Sequence, residues 1–268
     1  MSNGNAENFV FPTKTQQQYT PPVDLVKLPS GGKFYPSDHP LYNKKTAEVY
    51  YMTTKEEDIL VNAAYSKAGI VFDKLIESIL VDKTIKSSSL LSGDRDAILY
   101  NARINGYGTD YTVTMSCELC FALNELELDL TKAKNKKVDY SDVEISTAGT
   151  IFVDLPVSKM KIELKMLTGV DEKELFDRAT SKEKHNLPEQ TITERYSQMI
   201  KSVTGNNDLI FIRNFISNMP IADSRTLRKT YAKYIPGVDF MYKYECSRCE
   251  HANEGGLPIT GNFFWPDD

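Results

Sequence analysis

Two CxxC motifs hold all four cysteines of this 268-residue chain, Cys117/Cys120 and Cys246/Cys249. Thiols two residues apart can bind a metal as thiolates, exchange disulfides, or form a covalent cross-link. Their surroundings choose among these. Gly108-Thr-Asp110-Tyr111 leads into Cys117-Glu-Leu-Cys120 and on to Asn124-Glu125. Gly237-Val-Asp239-Phe240 leads into Cys246-Ser-Arg-Cys249 and on to Asn253-Glu254 at the same offsets. Each motif follows a strand-like run, Tyr111-Thr-Val-Thr-Met115 and Phe240-Met-Tyr-Lys-Tyr244, whereas a thioredoxin-like redox pair opens a helix. Structural disulfides need an oxidising compartment, and the opening Met1-Ser-Asn-Gly-Asn5 has neither the charged nor the apolar stretch of a secretory leader. A strand entering a two-cysteine turn, twice, is the layout of a four-thiolate zinc ribbon. The expected ligands are Cys117, Cys120, Cys246 and Cys249, with one structural zinc per chain. Four thiolates close the tetrahedron and leave no position for water, so this zinc is expected to fold the chain and not to catalyse. His251 reads as a polar loop residue beside the second motif.

Composition narrows the setting of that site. The chain is 41% hydrophobic, enough to bury a core, and no run of 18 apolar residues predicts a membrane span. A net charge of −5 argues against a general nucleic-acid binder, although many zinc ribbons bind DNA or RNA. The one basic run, Lys132-Ala-Lys-Asn-Lys-Lys137, reads as a solvated turn. Paired carboxylates supported by histidine are absent, so no catalytic residues are assigned and no small-molecule substrate is expected.

The elements that must position the thiols follow from periodicity and punctuation. Residues 1–24 are polar, with Gln16-Gln-Gln18 and Pro21-Pro22, and read as a flexible arm that orders against a partner. Leu28-Pro-Ser-Gly-Gly-Lys-Phe-Tyr-Pro36 is turn-rich, and a strand is expected at Ala47–Met52. Thr54-Lys-Glu-Glu57 predicts a capping box and a helix to about Lys67, before Gly69. Further helices are expected over Ile70–Val81 and Gly93–Asn105, the latter stopped by Gly106, with Asp94-Arg95-Asp96 favoured by the helix dipole. Leu126-Glu-Leu-Asp-Leu130 alternates as a strand, and Ile151–Leu155 with Met160–Met166 reads as a β-hairpin. A helix from Gly169 to about Arg178 precedes an expected exposed loop at 179–190. Helices then follow at Ile192–Val203, Asn207–Asn218 and Ala222–Tyr234. The class is α+β: a mainly helical body with short strands and hairpins, and a zinc-ribbon-like site joining distant parts of the chain. Residues 25–268 are taken as a single zinc-stapled domain, with sub-parts 25–130 and 170–268 joined through 131–169.

Each CxxC is thus preceded by an amphipathic helix, a glycine turn and a strand, so the repeated unit exceeds the cysteines themselves. Closing so long a loop costs on the order of 4–5 kcal/mol in chain entropy, against roughly 10–16 kcal/mol from a structural zinc at neutral pH. The metal wins with a margin.

The C-terminal features Leu227-Arg228-Lys229, Pro236-Gly237-Val-Asp239, Cys246-Ser-Arg-Cys249, Leu257-Pro258-Ile259 and Phe263-Phe264-Trp265-Pro266 carry a family likeness in their order. So do Leu28–Pro36, Thr54-Lys-Glu-Glu-Asp-Ile-Leu60 and Gly93-Asp-Arg-Asp-Ala-Ile-Leu-Tyr100. Over about residues 25–268 the chain resembles the baseplate hub proteins of T4-type tailed phages, a family with a hub subunit and a hub assembly protein. The resemblance implies a non-enzymatic late protein of virion assembly, either a component or a chaperone of the contractile-tail baseplate hub. Its partners would be other hub and tail proteins. It implies location in the host cytoplasm during assembly and in the tail baseplate of the virion. The residues agree: 15 tyrosines and 12 phenylalanines include many in turn-rich stretches, where aromatics anchor interfaces. Phe34, Tyr35, Phe263, Phe264 and Trp265 are the partner-binding candidates. For the terminal aromatics, a clamp on the chain's own core is the competing reading. The functional alternative is a zinc-ribbon nucleic-acid-binding or regulatory protein.

Overall fold

The structure is a computed structural model, and it describes residues 19–185, 191–257, 259 and 261–264. The stretch 1–18 of the expected arm, and Trp265, lie outside the described residues. The arm's last two residues do not belong to it, because strand β1 (Val23–Lys27) already pairs antiparallel with β2 (Thr46–Tyr50). Val26, Ala47 and Val49 face inward, so the alternation buries one side of this ribbon.

The first helical region differs from expectation in register and in continuity. Its capping box is Thr53 with Glu56, one residue earlier than read, and helix α1 (Thr54–Leu60) ends at Val61. Asn62 then caps a second short helix, α2 (Ala63–Lys67), its side chain accepting from the N–H groups of Ala64 and Tyr65. A side chain that satisfies two free amides restarts the helix instead of continuing it. Helix α3 (Val71–Ile79) buries Leu75, Ile76 and Ile79 as its period requires.

Helix α4 (Ser92–Tyr107) forms the spine. It runs through Gly106 and stops at Gly108, whose φ of +85° only glycine adopts without strain. Its start demands another glycine: a β-carbon at Gly93 would lie 2.2 Å from the carbonyl oxygen of Pro236, on the turn that feeds the second CxxC. Asp94 is fully buried, accepting from Ser30 N (2.9 Å), Ser30 Oγ (2.5 Å) and the Tyr35 hydroxyl (2.9 Å). Burial pushes this carboxyl above its ordinary range, although all three hydrogen bonds pull the other way. Arg103, also fully buried, donates to the carbonyls of Phe263 (2.8 Å), Gly108 (2.8 Å) and Asp110 (3.3 Å). Two charges that an amphipathic reading would leave in water instead fasten α4 to the N-terminal turn and to the C-terminal aromatics.

Beyond α4, β3 (Asp110–Ser116) and β4 (Leu123–Asp129) form the first hairpin. The basic run is not simply a turn, since β5 (Lys134–Asn135) pairs with β9 (Val238–Asp239). Strands β6 (Thr150–Asp154) and β7 (Lys161–Lys165) make the expected hairpin, and β8 (Ile200–Val203) adds to β7. Helix α5 (Gly169–Lys184) overruns its expected end by nearly two turns, so the loop read at 179–190 is helical as far as 184. Helix α6 (Thr191–Met199) ends where β8 begins: Ile200–Val203, read as the last turn of a helix, is a strand instead. The open edge of β7 supplies it with backbone partners, and tertiary pairing overrides local periodicity. Helices α7 (Leu209–Asn218) and α8 (Ile221–Tyr234) lead to β9. The second hairpin, β10 (Met241–Glu245) with β11 (Ala252–Gly256), and the short α9 (Gly261–Phe264) follow. The fold is α+β, with one hydrophobic cluster that includes residues from Val26 to Phe264.

Candidate metal centre

The two cysteine turns are copies of each other at the level of single hydrogen bonds. In the first hairpin the last pair of the ladder is Ser116 with Leu123, and in the second it is Glu245 with Ala252. Past that pair, the Cys117 N–H donates to Ala122 O (2.9 Å) and the Phe121 N–H to Cys117 O (3.0 Å). The second turn repeats this, with Cys246 N–H to His251 O (2.9 Å) and Glu250 N–H to Cys246 O (2.9 Å). Phe121 and Glu250, the residues after the second cysteine of each pair, both hold φ of +58°. Tight turns of this kind turn the thiols of each pair to one side and aim backbone N–H groups at sulfur, as in the 3.4 Å contact from Arg248 N to Cys246 Sγ.

The turns meet face to face. Cys117 Sγ lies 3.7 Å from Cys249 Sγ, and Cys120 Sγ lies 3.6 Å from Cys246 Sγ. All four sulfurs fall within 4.8 Å of one another. A tetrahedron with zinc–sulfur bonds of about 2.3 Å has edges of about 3.8 Å, so the sulfurs stand at the spacing a four-thiolate ion requires. That spacing is far too long for sulfur–sulfur bonds of about 2.05 Å, and all four cysteines are free. Cys117 and Cys246 are buried, and Cys120 and Cys249 are half-buried. The donor set is soft and complete, and these residues could hold one metal ion of the zinc type.

Electrostatics within the cluster favour giving up protons on one side and keeping one on the other. For Cys117 the N–H of Cys120 leads, burial opposes, and the thiol is lowered. Burial raises Cys246, but the N–H groups of Arg248 and Cys249 outweigh it, and the thiol falls to about 6. Cys249, despite the N–H of His251, faces neighbouring sulfurs that pin the remaining proton on it, and is pushed up to about 12. Four thiols this close share protons that a bound cation would displace.

Two asparagines complete the arrangement, and their roles were hidden behind a repeat that the sequence displayed. Asn124 accepts from Ser247 N (2.8 Å) and Ser247 Oγ (2.9 Å) across the junction, and it donates to Ala122 O (2.9 Å) within its own turn. Asn253 returns the contact, accepting from Glu118 N (3.0 Å) and donating to His251 O (2.8 Å). Each asparagine is buried, and each tethers the residue that follows the first cysteine of the opposite turn. The equal offset of these asparagines was the available signal; the reciprocal crossing was not legible from it. The Tyr244 hydroxyl adds a bond to Ser116 O (2.9 Å). His251 contributes its carbonyl and does not join the sulfur cluster.

The aromatic candidates are placed differently. Phe34 and Tyr35 are 3% and 1% exposed, and Phe263 and Phe264 are fully buried, so these rings leave no free face for a partner. Tyr35 anchors Asp94, while Phe263 stacks with Tyr100 at 5.7 Å and lies beneath the Arg103 guanidinium. For Phe263 and Phe264 this burial fits the competing reading of a clamp on the chain's own core, and Phe34 packs edge-on against Tyr140 at 5.2 Å.

Among known protein families, the model described as "T4 bacteriophage base plate protein" matches residues 20–265. No curated protein and no solved structure matches the chain. With nearly the whole length matched, from the strand ahead of the first helices to the terminal aromatics, the chain belongs to the T4 bacteriophage base plate protein family.

Proposed function

We propose that this chain is a non-enzymatic component or assembly factor of the baseplate hub, fixed in shape by one structural zinc on Cys117, Cys120, Cys246 and Cys249. The family match over residues 20–265 is the observation that carries it. The closed sulfur tetrahedron supports the structural role of the metal. With four protein ligands, zinc has no open position to polarise a substrate or activate water, and its binding energy goes into folding. The two cysteine pairs are separated by 125 residues (121–245), so the ion cross-links the product of one helix–strand unit to the product of the other. What such a protein offers its neighbours is surface. Of the described candidates for hub binding, the buried rings serve by holding that surface in place.

The test is co-expression with the hub subunits of the same phage, followed by sizing of the complexes and inspection of mature particles. Complexes plus presence in particles identify a component. Complexes with absence from particles identify an assembly factor that leaves. A chain that binds no hub subunit and is missing from particles overturns the hub reading.

A further inference from the structure

The two knuckles share the hydrogen bonds of the turn and its positive φ, which makes each the control for the other, and they differ in what they expose. At the tip of the first stand Leu119, Phe121 and Leu123, which are 64%, 77% and 73% exposed. The equivalent positions of the second, at a constant offset of 129 residues, are Arg248, Glu250 and Ala252. The second knuckle therefore demonstrates that nothing in the turn calls for apolar side chains there. A phenyl ring at φ of +58° is costly for a residue with a β-carbon, and Glu250 bears the same backbone with a soluble side chain. Three large apolar groups within five residues, held rigid by the sulfur cluster beneath, form a compact exposed patch of the kind that marks a docking site.

Charge around the patch selects what can cover it. The first hairpin, residues 110–129, carries Asp110, Glu118, Glu125, Glu127 and Asp129 and no lysine or arginine. The second, 241–256, carries Glu245, Glu250 and Glu254 against Lys243 and Arg248. Together the hairpins hold six net negative charges while the whole chain holds five, so the remainder is net positive by one. Glu118, Glu125, Glu127, Glu245, Glu250 and Glu254 are all exposed around the knuckles. A second copy of this chain would bring the same acidic end against itself, and a phosphate backbone would be repelled.

We infer that the tip of the first knuckle, Leu119-Cys-Phe121-Ala-Leu123, inserts into an apolar pocket rimmed by lysine or arginine on a different baseplate subunit. This rests on the baseplate reading above and narrows it to one surface. The acidic rim steers the encounter and fixes orientation, and the apolar tip supplies the affinity.

The test makes the first tip resemble the second with the triple variant Leu119→Arg, Phe121→Glu, Leu123→Ala. Its counterpart, Arg248→Ala with Glu250→Ala, alters the other tip. Each is measured for affinity against the other baseplate subunits of the same phage, purified one at a time, with metal content and thermal unfolding recorded alongside. The triple variant should keep its metal and its melting temperature while binding at least about thirtyfold more weakly, and the counterpart should bind nearly as wild type. Wild-type affinity should weaken as salt is raised. If the wild type binds a subunit and the triple variant binds it equally well, the tip assignment fails and the baseplate reading stands. If the wild type binds none of them, both fail. If sedimentation shows a homodimer that the triple variant abolishes, the occupant is a second copy and the heterologous pocket is wrong.

Discussion

Replacing Asn124 by alanine should damage metal binding more than any substitution outside the cysteines. The side chain is 3% exposed and makes four hydrogen bonds: two accepted from Ser247, one donated to Ala122 O and one donated to Cys246 Sγ (3.7 Å). Alanine leaves the Ser247 N–H at the junction without a partner, while Ala122 O keeps the bond it accepts from the Cys117 N–H. At about 1–3 kcal/mol for one buried unsatisfied N–H, with the donor to the Cys246 sulfur lost as well and the exposed Ser247 hydroxyl turning to water, the loss is about 2–3 kcal/mol. Groups that orient metal ligands commonly change affinity 10–100-fold, or about 1.4–2.8 kcal/mol, which agrees with that sum. Asn253→Ala removes two bonds in place of four and should cost about 1–2 kcal/mol. Competition with a chromophoric chelator measures the affinity, and urea unfolding of metal-loaded and metal-free protein measures stability. Both losses should be larger in the loaded protein, since the asparagines hold two ligand turns together and the ion's binding energy is folding energy. Asn124→Ala protein that competes for zinc like wild type, or that loses as much stability metal-free as loaded, refutes the coupling and makes Asn124 an ordinary buried amide.

Two further predictions concern the buried charges of α4. Arg103→Met leaves the carbonyls of Phe263, Gly108 and Asp110 without donors and should cost about 3–5 kcal/mol in chemical denaturation. It should also speed amide exchange at residues 261–264, and unchanged exchange there would remove Arg103 as the tether of the aromatic end. Asp96 is pushed up to about 6, by burial first, with Arg95 opposing and Glu172 adding to the rise. Between its ordinary 3.8 and about 6 the folded chain holds a proton the unfolded chain has lost, so this group makes stability fall as pH rises through that window. Asp96→Asn should therefore flatten the fall and stabilise the protein at pH 7 by about 1–3 kcal/mol. A wild-type profile that rises with pH in step with the variant's contradicts the assignment.

The metal ligands were legible because spacing is all a thiol cluster needs, and CxxC twice with matched flanks leaves few other meanings. The crossing of Asn124 and Asn253 was not, since a repeated residue names a position without naming its partner. Helix α3 could be read to within a few residues from its clean 3.6 periodicity, and α4 and α8 from the glycine and proline punctuation at their ends. Errors arose where tertiary structure supplied what local pattern lacked. Ile200–Val203 became a strand because β7 offered its edge. Val23–Lys27 paired with β2 although two prolines precede it. The Asn62 side chain cut one expected helix in two. Asp94 and Arg103 are charged residue types that a sequence reading assigns to water, and their distant partners, Ser30, Tyr35 and Phe263, hold them in the core. The aromatic candidates show the same limit from the other side: composition marks a ring as sticky but does not say whether its own fold consumes it.

The central claim is that one ion joins the two knuckles through four sulfurs. It is tested most directly by elemental analysis of reduced protein purified without added metal, combined with X-ray absorption at the zinc edge. The account predicts about one zinc per chain with four sulfur neighbours at about 2.3 Å, and loss of that zinc in Cys117→Ser as in Cys246→Ser. Protein that carries no metal, leaves all four thiols open to alkylation and unfolds at the same temperature after either substitution would contradict it.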